Sequence, residues 1–330
     1  MTVSRVVNNQ GKVRDSTREN VMRAVKKLGY TPNLAASSLA AAQHTRIALI
    51  YTNPSSAYLH ELLVGALSGA SRTAAQLVID TWDGLSASEQ RNAARVLAKS
   101  VAGVILPPPL CESKAVLKEF ASAGVHVVSI ASGPFNHEIS CVRIDDFRAS
   151  KEMTSLLIAK GHTCIGYIKG HPQHTASTLR HDGFRAALAE AGIKEDETLV
   201  EQGYFTYRSG LDAGEKLLAR NPAPTAVFAS NDDMAAAVIS VAHRKGLDVP
   251  RDLSVVGFDD TFAATTVWPE LTTIHQPVSD MADSAIDILL RTIRSKDRST
   301  RMVVDHVASY QLVFRDSVAP PFKRKRSAKT

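Results

Sequence analysis

The sequence predicts an α/β protein: a small helical head followed by two successive lobes, each built on a doubly wound parallel sheet. Three observations predict it. From Arg46 onward, short runs rich in Val, Ile and Leu alternate with longer segments of helical period, and the alternation starts a second time near residue 164. The 330 residues, 44% of them hydrophobic, suffice for more than one core. Finally, the net charge of +6 is unevenly placed. Residues 1–46 hold eight Lys/Arg against two acids and residues 315–330 six against one, so basic ends flank an acidic middle. That asymmetry suits a polyanion at the ends and a different ligand in the body.

In the first lobe, residues 47–51, 77–81, 103–106 and 126–130 are short and full of Val, Ile and Leu, and read as strands buried in a parallel sheet. Between them, 59–75, 87–98 and 113–123 carry apolar residues at helical spacing. The second lobe repeats the scheme, with strands at 164–168, 199–201, 226–229 and 253–257 and helices at 149–160, 179–191, 207–220 and 232–245. A last helix at 278–294 and a final strand at 307–314 follow, and the end, with Lys323-Arg324-Lys325-Arg326, reads as disordered. The expected division is a head at 1–32, a linker at 33–46, a body at 47–315 and a tail at 316–330. Within the body, lobe 1 takes 47–145 and 277–302, and lobe 2 takes 146–276 and 303–315.

The head differs in kind. In residues 17–28, Val21, Ala24, Val25 and Leu28 recur at helical spacing, Ser16 and Glu19 form a capping-box pattern, and Gly29 can end the helix. Past Pro32, Asn33 is a good N-cap for 34–42, a segment too short to be stable alone: a helix formed on docking, or a flexible linker. No apolar run reaches the roughly 18 residues of a membrane span, and the N-terminus lacks a secretory signal, so a cytoplasmic protein without membrane contact is expected. Cys111, Cys141 and Cys164 are too scattered for ligand pairs or a disulfide framework. No metal and no cofactor are expected.

Thr2-Val3-Ser4-Arg5-Val6-Val7-Asn8 resembles the recognition helix of the lactose-repressor (LacI/GalR) family of bacterial transcriptional regulators. Gly29-Tyr30-Thr31-Pro32-Asn33 followed by Ala35-Ala36-Ser37-Ser38-Leu39-Ala40 is similar to the family's hinge helix. In the body, Arg180-His181-Asp182-Gly183-Phe184, Asn231-Asp232, Val255-Val256-Gly257-Phe258-Asp259-Asp260 and Leu271-Thr272-Thr273-Ile274-His275-Gln276-Pro277 match family motifs in the family's order. Each is weak alone; their joint order over nearly the whole chain is specific. The resemblance implies a helix-turn-helix-type head on a periplasmic-binding-protein-like body. It implies a homodimeric repressor of carbohydrate-utilisation genes that binds palindromic operator DNA under the control of a sugar or glycoside held between the lobes.

It also implies residue roles. Arg5 would read a guanine with its bidentate fork, with Thr2, Ser4 and Asn8 on phosphates. Tyr30 and Asn33 would support the DNA contact, and Leu39 would wedge into a minor-groove step. Arg180, Asn231, Asp259 and Gln276 would bind effector hydroxyls, a donor and acceptor set apt for a polyol. Tyr58 and Phe205 would either stack on the ligand or pack in the core. Two departures stand out. The family's head begins with a further helix, whereas Met1 here stands at the start of the recognition helix, so the head is expected to be incomplete. At Ile130-Ala131-Ser132 the lactose repressor has an acidic residue; Ala131 removes that hydroxyl acceptor, which favours a glycoside or less polar effector.

Asp232-Asp233 and Asp259-Asp260 could serve an enzyme as acid and base, but the chain has no P-loop, Gly-x-Gly-x-x-Gly, His-Glu-x-x-His or Gly-x-Ser-x-Gly pattern. A periplasmic sugar-binding protein would share the body but not the basic head. A regulator rather than an enzyme is expected.

Overall fold

A computed structural model describes Val6 and residues 14–27, 45–52, 55–131, 133, 138–295 and 303–322. The chain divides into two units, 1–44 and 45–330. In the first, Val6 is buried and α1 spans Asp15–Lys27. It starts ahead of the expected residue 17: the Thr17 amide donates to Arg14 O at 3.0 Å, which places Ser16 inside the first turn rather than at its cap.

The body opens with β1 (Arg46–Tyr51), α2 (Ser56–Thr73), β2 (Gln76–Thr81), α3 (Ala87–Leu97), β3 (Gly103–Leu106), α4 (Lys114–Ser122), β4 (His126–Ile130) and β5 (Ser140–Arg143). It crosses to α5 (Asp146–Ala159), β6 (Ile165–Lys169), α6 (Thr175–Glu190), β7 (Val200–Gln202), α7 (Tyr207–Leu218), β8 (Ala226–Ala229), α8 (Asp232–Arg244), β9 (Ser254–Val256), α9 (Phe262–Thr266) and β10 (Thr273–His275). It returns as α10 (Val278–Arg294) and closes with β11 (Asp305–Val307) and β12 (Gln311–Val313). Lobe 1 is a six-stranded parallel sheet in the order β11-β5-β4-β3-β1-β2. Lobe 2 is a four-stranded parallel sheet, β7-β6-β8-β9, beside the antiparallel pair β10-β12.

The apolar runs become strands because both sheet faces are covered: Ile47, Ala48, Leu49 and Ile50 are all buried, as are Ala226 through Ala229. Helix α10 packs against α2 and against β3, β4 and β5, burying Met281, Ile286, Leu289 and Leu290, each contributing roughly 1.5–3 kcal/mol. The backbones of α10 and α2 meet at Gly65, where an added Cβ would collide with the carbonyl of Ser279. Gly65→Ala is therefore expected to cost about 1–3 kcal/mol by overpacking, read as a lowered midpoint in urea unfolding; an unchanged midpoint would show that the helices part freely.

Three expectations are corrected. The single strand at 307–314 is two: β11 pairs with β5 in lobe 1 and β12 with β10 in lobe 2, so the chain passes between lobes at 308–310. Residues 303–307, assigned above to lobe 2, therefore belong to lobe 1. Strand β5 was not expected, since Ser140-Cys141-Val142-Arg143 has only one β-branched residue; its pairing comes from β4 and β11. The tail is not disordered from residue 316. Ser317 is fully buried, its Oγ donating to Val255 O at 2.6 Å and accepting from Thr272 N at 2.8 Å. Ala319 O accepts from Ser254 Oγ at 3.0 Å and lies 2.9 Å from His162 Nε2. This segment satisfies the open edge of β9, a backbone need that composition does not reveal. Lys323–Arg326 fall outside the described residues.

Candidate functional site

The cleft lies where strand ends of the two lobes meet, the place such folds use for ligands. Lobe 1 contributes Ser55 and Tyr58 from the start of α2, Pro108 after β3 and Ala131 after β4; lobe 2 contributes His174, Arg180, Phe205, Asn231 and Asp259. They enclose about 40 Å³, room for about three waters. The lobes touch across it: Ser55 Oγ, which also caps α2, donates to Asp233 Oδ2 at 2.8 Å, and the Thr175 amide donates to Glu112 Oε1 at 3.2 Å. A larger hollow of about 550 Å³ on lobe 1, between α4 and α10, is lined mainly by aliphatic side chains and holds none of the expected site residues.

Arg180 is the centre of the polar floor. Its Nε donates to Asp146 Oδ1 at 2.7 Å and its Nη1 to Ser230 O at 2.6 Å, and Nη1 lies 3.5 Å from Asp259 Oδ1. The guanidinium carbon stands 3.5 Å from the centroid of the Phe258 ring. Arg180 can sit on this floor because the α6 turn bearing it packs tightly on α5, where an added Cβ at Gly183 would meet the Phe147 carbonyl. Burial raises the Asp146 carboxyl, with Arg180 pulling it back.

Asp259 comes from a strained turn, at φ +112° with Asp260 at +60°, and Asp232 holds that turn in place by accepting from Thr261 N at 2.7 Å and Thr273 Oγ1 at 2.6 Å. Gln276 Nε2 donates to Asp259 Oδ1 at 2.6 Å. Burial raises the Asp259 carboxyl to about 7, against the opposing pull of Arg180 and the Gln276 hydrogen bond. Phe205 and Ala131 also carry positive φ, so three wall residues are held in conformations that ordinary side chains avoid.

Tyr58, Arg180, Phe205, Asn231 and Asp259 thus come together on one cavity, while Gln276 reaches it only through Asp259. Asn231 serves the chain itself: Oδ1 caps α8 by accepting from Met234 N at 3.1 Å, and Nδ2 donates to Phe205 O at 3.0 Å. Thr2, Ser4, Arg5, Asn8, Tyr30, Asn33 and Leu39 lie outside the described residues. Sequence reasoning missed Asp146, Ser230, Phe258 and His174. The signal for Asp146 was an acidic residue in the first turn of a helix following a strand; His174 had none beyond its place ahead of α6. Five polar atoms of the side chains lining the cavity have no hydrogen-bond partner among the described residues: Tyr58 OH, which is buried, Arg180 Nη2, Asp259 Oδ2 and the two His174 ring nitrogens.

A basic helical head, a two-lobed body and a polar cavity between the lobes define a ligand-sensing DNA-binding protein. Residues 1–33 match the family described as bacterial regulatory proteins, lacI family, and residues 154–318 match the periplasmic binding protein-like domain. The chain is 35% identical over 321 residues to the HTH-type transcriptional regulator DegA of Bacillus subtilis (strain 168), covering 97% of this chain and 94% of that protein. Among solved structures it resembles the transcriptional regulator CelR in complex with cellobiose, at 33% identity and a TM-score of 0.76 over 95% of this chain and 94% of that one. It also resembles the lac repressor dimer bound to operator and the anti-inducer ONPF, at 25% identity and a TM-score of 0.78 over 96% and 94%. The chain belongs to the LacI family of bacterial regulatory proteins. It is a transcriptional regulator, not an enzyme.

Proposed function

We propose that this regulator is a dimeric repressor of carbohydrate-utilisation genes, released from or held on a palindromic operator by a neutral sugar or glycoside in the cleft. The observation that carries the reading is the set of unpartnered polar atoms converging on the cavity: a hydroxyl, a guanidinium nitrogen, a carboxylate oxygen and an imidazole. A buried hydroxyl left unpaired, as Tyr58 OH is, is costly, and this mixture of donors and acceptors is what a ring of hydroxyls satisfies. Arg180 is already balanced by Asp146 and Asp259, so the floor offers no surplus positive charge to an anion.

The lobes already touch across the cleft through Ser55–Asp233 and Thr175–Glu112, so a ligand bound there bears on both lobes, and it shifts DNA affinity only as far as it binds the two lobe arrangements unequally. A two-fold dimer would present two heads to the half-sites, and Val64 and Leu67, about half exposed on α2, supply an apolar face for it. At the DNA, Arg5 reads a base, Thr2, Ser4, Asn8, Tyr30 and Asn33 fix the register, and Leu39 wedges the minor groove. Gel-shift titration with the promoter DNA of neighbouring sugar-use genes, with and without a panel of sugars, tests the reading. Leu39→Ala should weaken operator binding and leave sugar affinity unchanged; if no sugar alters DNA affinity, the proposal falls.

A further inference from the structure

From the loops that follow β6 and β7, four rings form one run: Phe205 to His174, centroids 5.6 Å apart; His174 to His171, 4.9 Å; His171 to Tyr204, 5.8 Å and edge-on. Phe205 and His174 line the cavity, whereas Tyr204 is 46% exposed. The run therefore links the enclosed cavity to an exposed ring.

The imidazoles are equipped for a ligand. His174 is only 5% exposed, yet neither ring nitrogen has a hydrogen-bond partner among the described residues, in contrast to His162, whose two nitrogens meet Thr225 Oγ1 and Ala319 O at 2.9 Å. His171 Nδ1 accepts from the Gln173 amide at 3.2 Å, so in the neutral ring the proton sits on Nε2, a donor with no acceptor among the described residues. Burial pushes His174 down to about 3 and lowers His171 as well, which keeps both rings uncharged at neutral pH.

We propose that the effector is a neutral two-ring glycoside, with one ring in the cavity over Arg180 and Asp259 and the second ring lying along His174, His171 and Tyr204. The inference rests on the reading of the cleft as a sugar site. Sugar C–H faces and aryl rings both pack on aromatic side chains, and the imidazole nitrogens can meet a glycosidic oxygen or a hydroxyl. A monosaccharide would leave the run uncovered. A phosphorylated sugar would meet uncharged rings and an arginine already held by two carboxylates.

Calorimetry on the full chain with monosaccharides, the matching disaccharides and aryl glycosides, and a sugar phosphate tests this. A two-ring ligand is expected to bind at least about tenfold tighter than its monosaccharide. Tyr204→Ala and His171→Ala should remove that advantage and leave monosaccharide affinity unchanged; which partner loses more, disaccharide or aryl glycoside, identifies the second ring. Equal affinity for one-ring and two-ring ligands, preference for the phosphate, or a full advantage kept by both variants would overturn the inference while the sugar site stands. Silence from every sugar would remove the site reading and this inference together.

Discussion

Arg180→Met is expected to destabilise the body by about 3–5 kcal/mol, the scale for removing one partner of a buried ion pair. The substitution keeps most of the side-chain bulk over Phe258 but removes the cation hydrogen-bonded to Asp146, which is only 2% exposed, and the Arg180 donor to Ser230 O. The loss comes from the stranded carboxylate, so the double variant Arg180→Met with Asp146→Leu should recover much of it, while sugar binding stays abolished in both. Urea unfolding of the four combinations reads the coupling directly. A single-variant loss under about 1 kcal/mol would show that the floor is open to water and the pair screened.

Asp259→Asn is expected to weaken effector binding about 10- to 100-fold through the loss of a charged acceptor, with operator affinity in the absence of effector unchanged. The pH dependence separates this from a folding defect. Asp259 lies beside Arg180 of α6, Asp146 of α5 and Asp232 and Asp233 of α8. Its folded carboxyl is raised to about 7, above the ordinary value of about 3.9. Folding thus takes up a proton between those values, and stability of the free protein falls as pH rises from about 4 through 7. An effector hydroxyl donating to the carboxylate binds the ionised form, so wild-type affinity should rise from pH 6 to pH 8. The Asn variant should show a flat affinity profile and a free protein that loses less stability over that range. Affinity that falls with rising pH in the wild type would reverse the assigned role.

Much of the fold was legible because it is local. The runs at 47–51 and 103–106 fall at or within a residue of β1 and β3, and the helical-period segments at 87–98 and 207–220 become α3 and α7, since buried strands and amphipathic helices announce themselves by period. Failures came where pairing replaces pattern. β5 has little β-forming character and exists because β4 and β11 flank it; residues 316–319 look like a polar tail and exist as an edge cover for β9.

The candidate site divides the same way. Arg180 and Asp259 were identifiable as donor and acceptor from their motifs, but the motifs did not reveal that Arg180 spends two of its donors within the chain, or that Asn231 caps a helix and holds the Phe205 carbonyl.

By itself, then, the sequence determined the class: two α/β lobes in tandem behind a basic head, with a polar set spaced as in one family of regulators. The tertiary structure decided which of those polar atoms are free to meet a ligand. Asp146 and Arg180 stand 34 residues apart, and Ser55 and Asp233, which bridge the lobes, 178. Periodicity is written over a few neighbouring residues, whereas the partner of a buried charge is chosen by whichever segments the folded chain brings within about 3 Å of it.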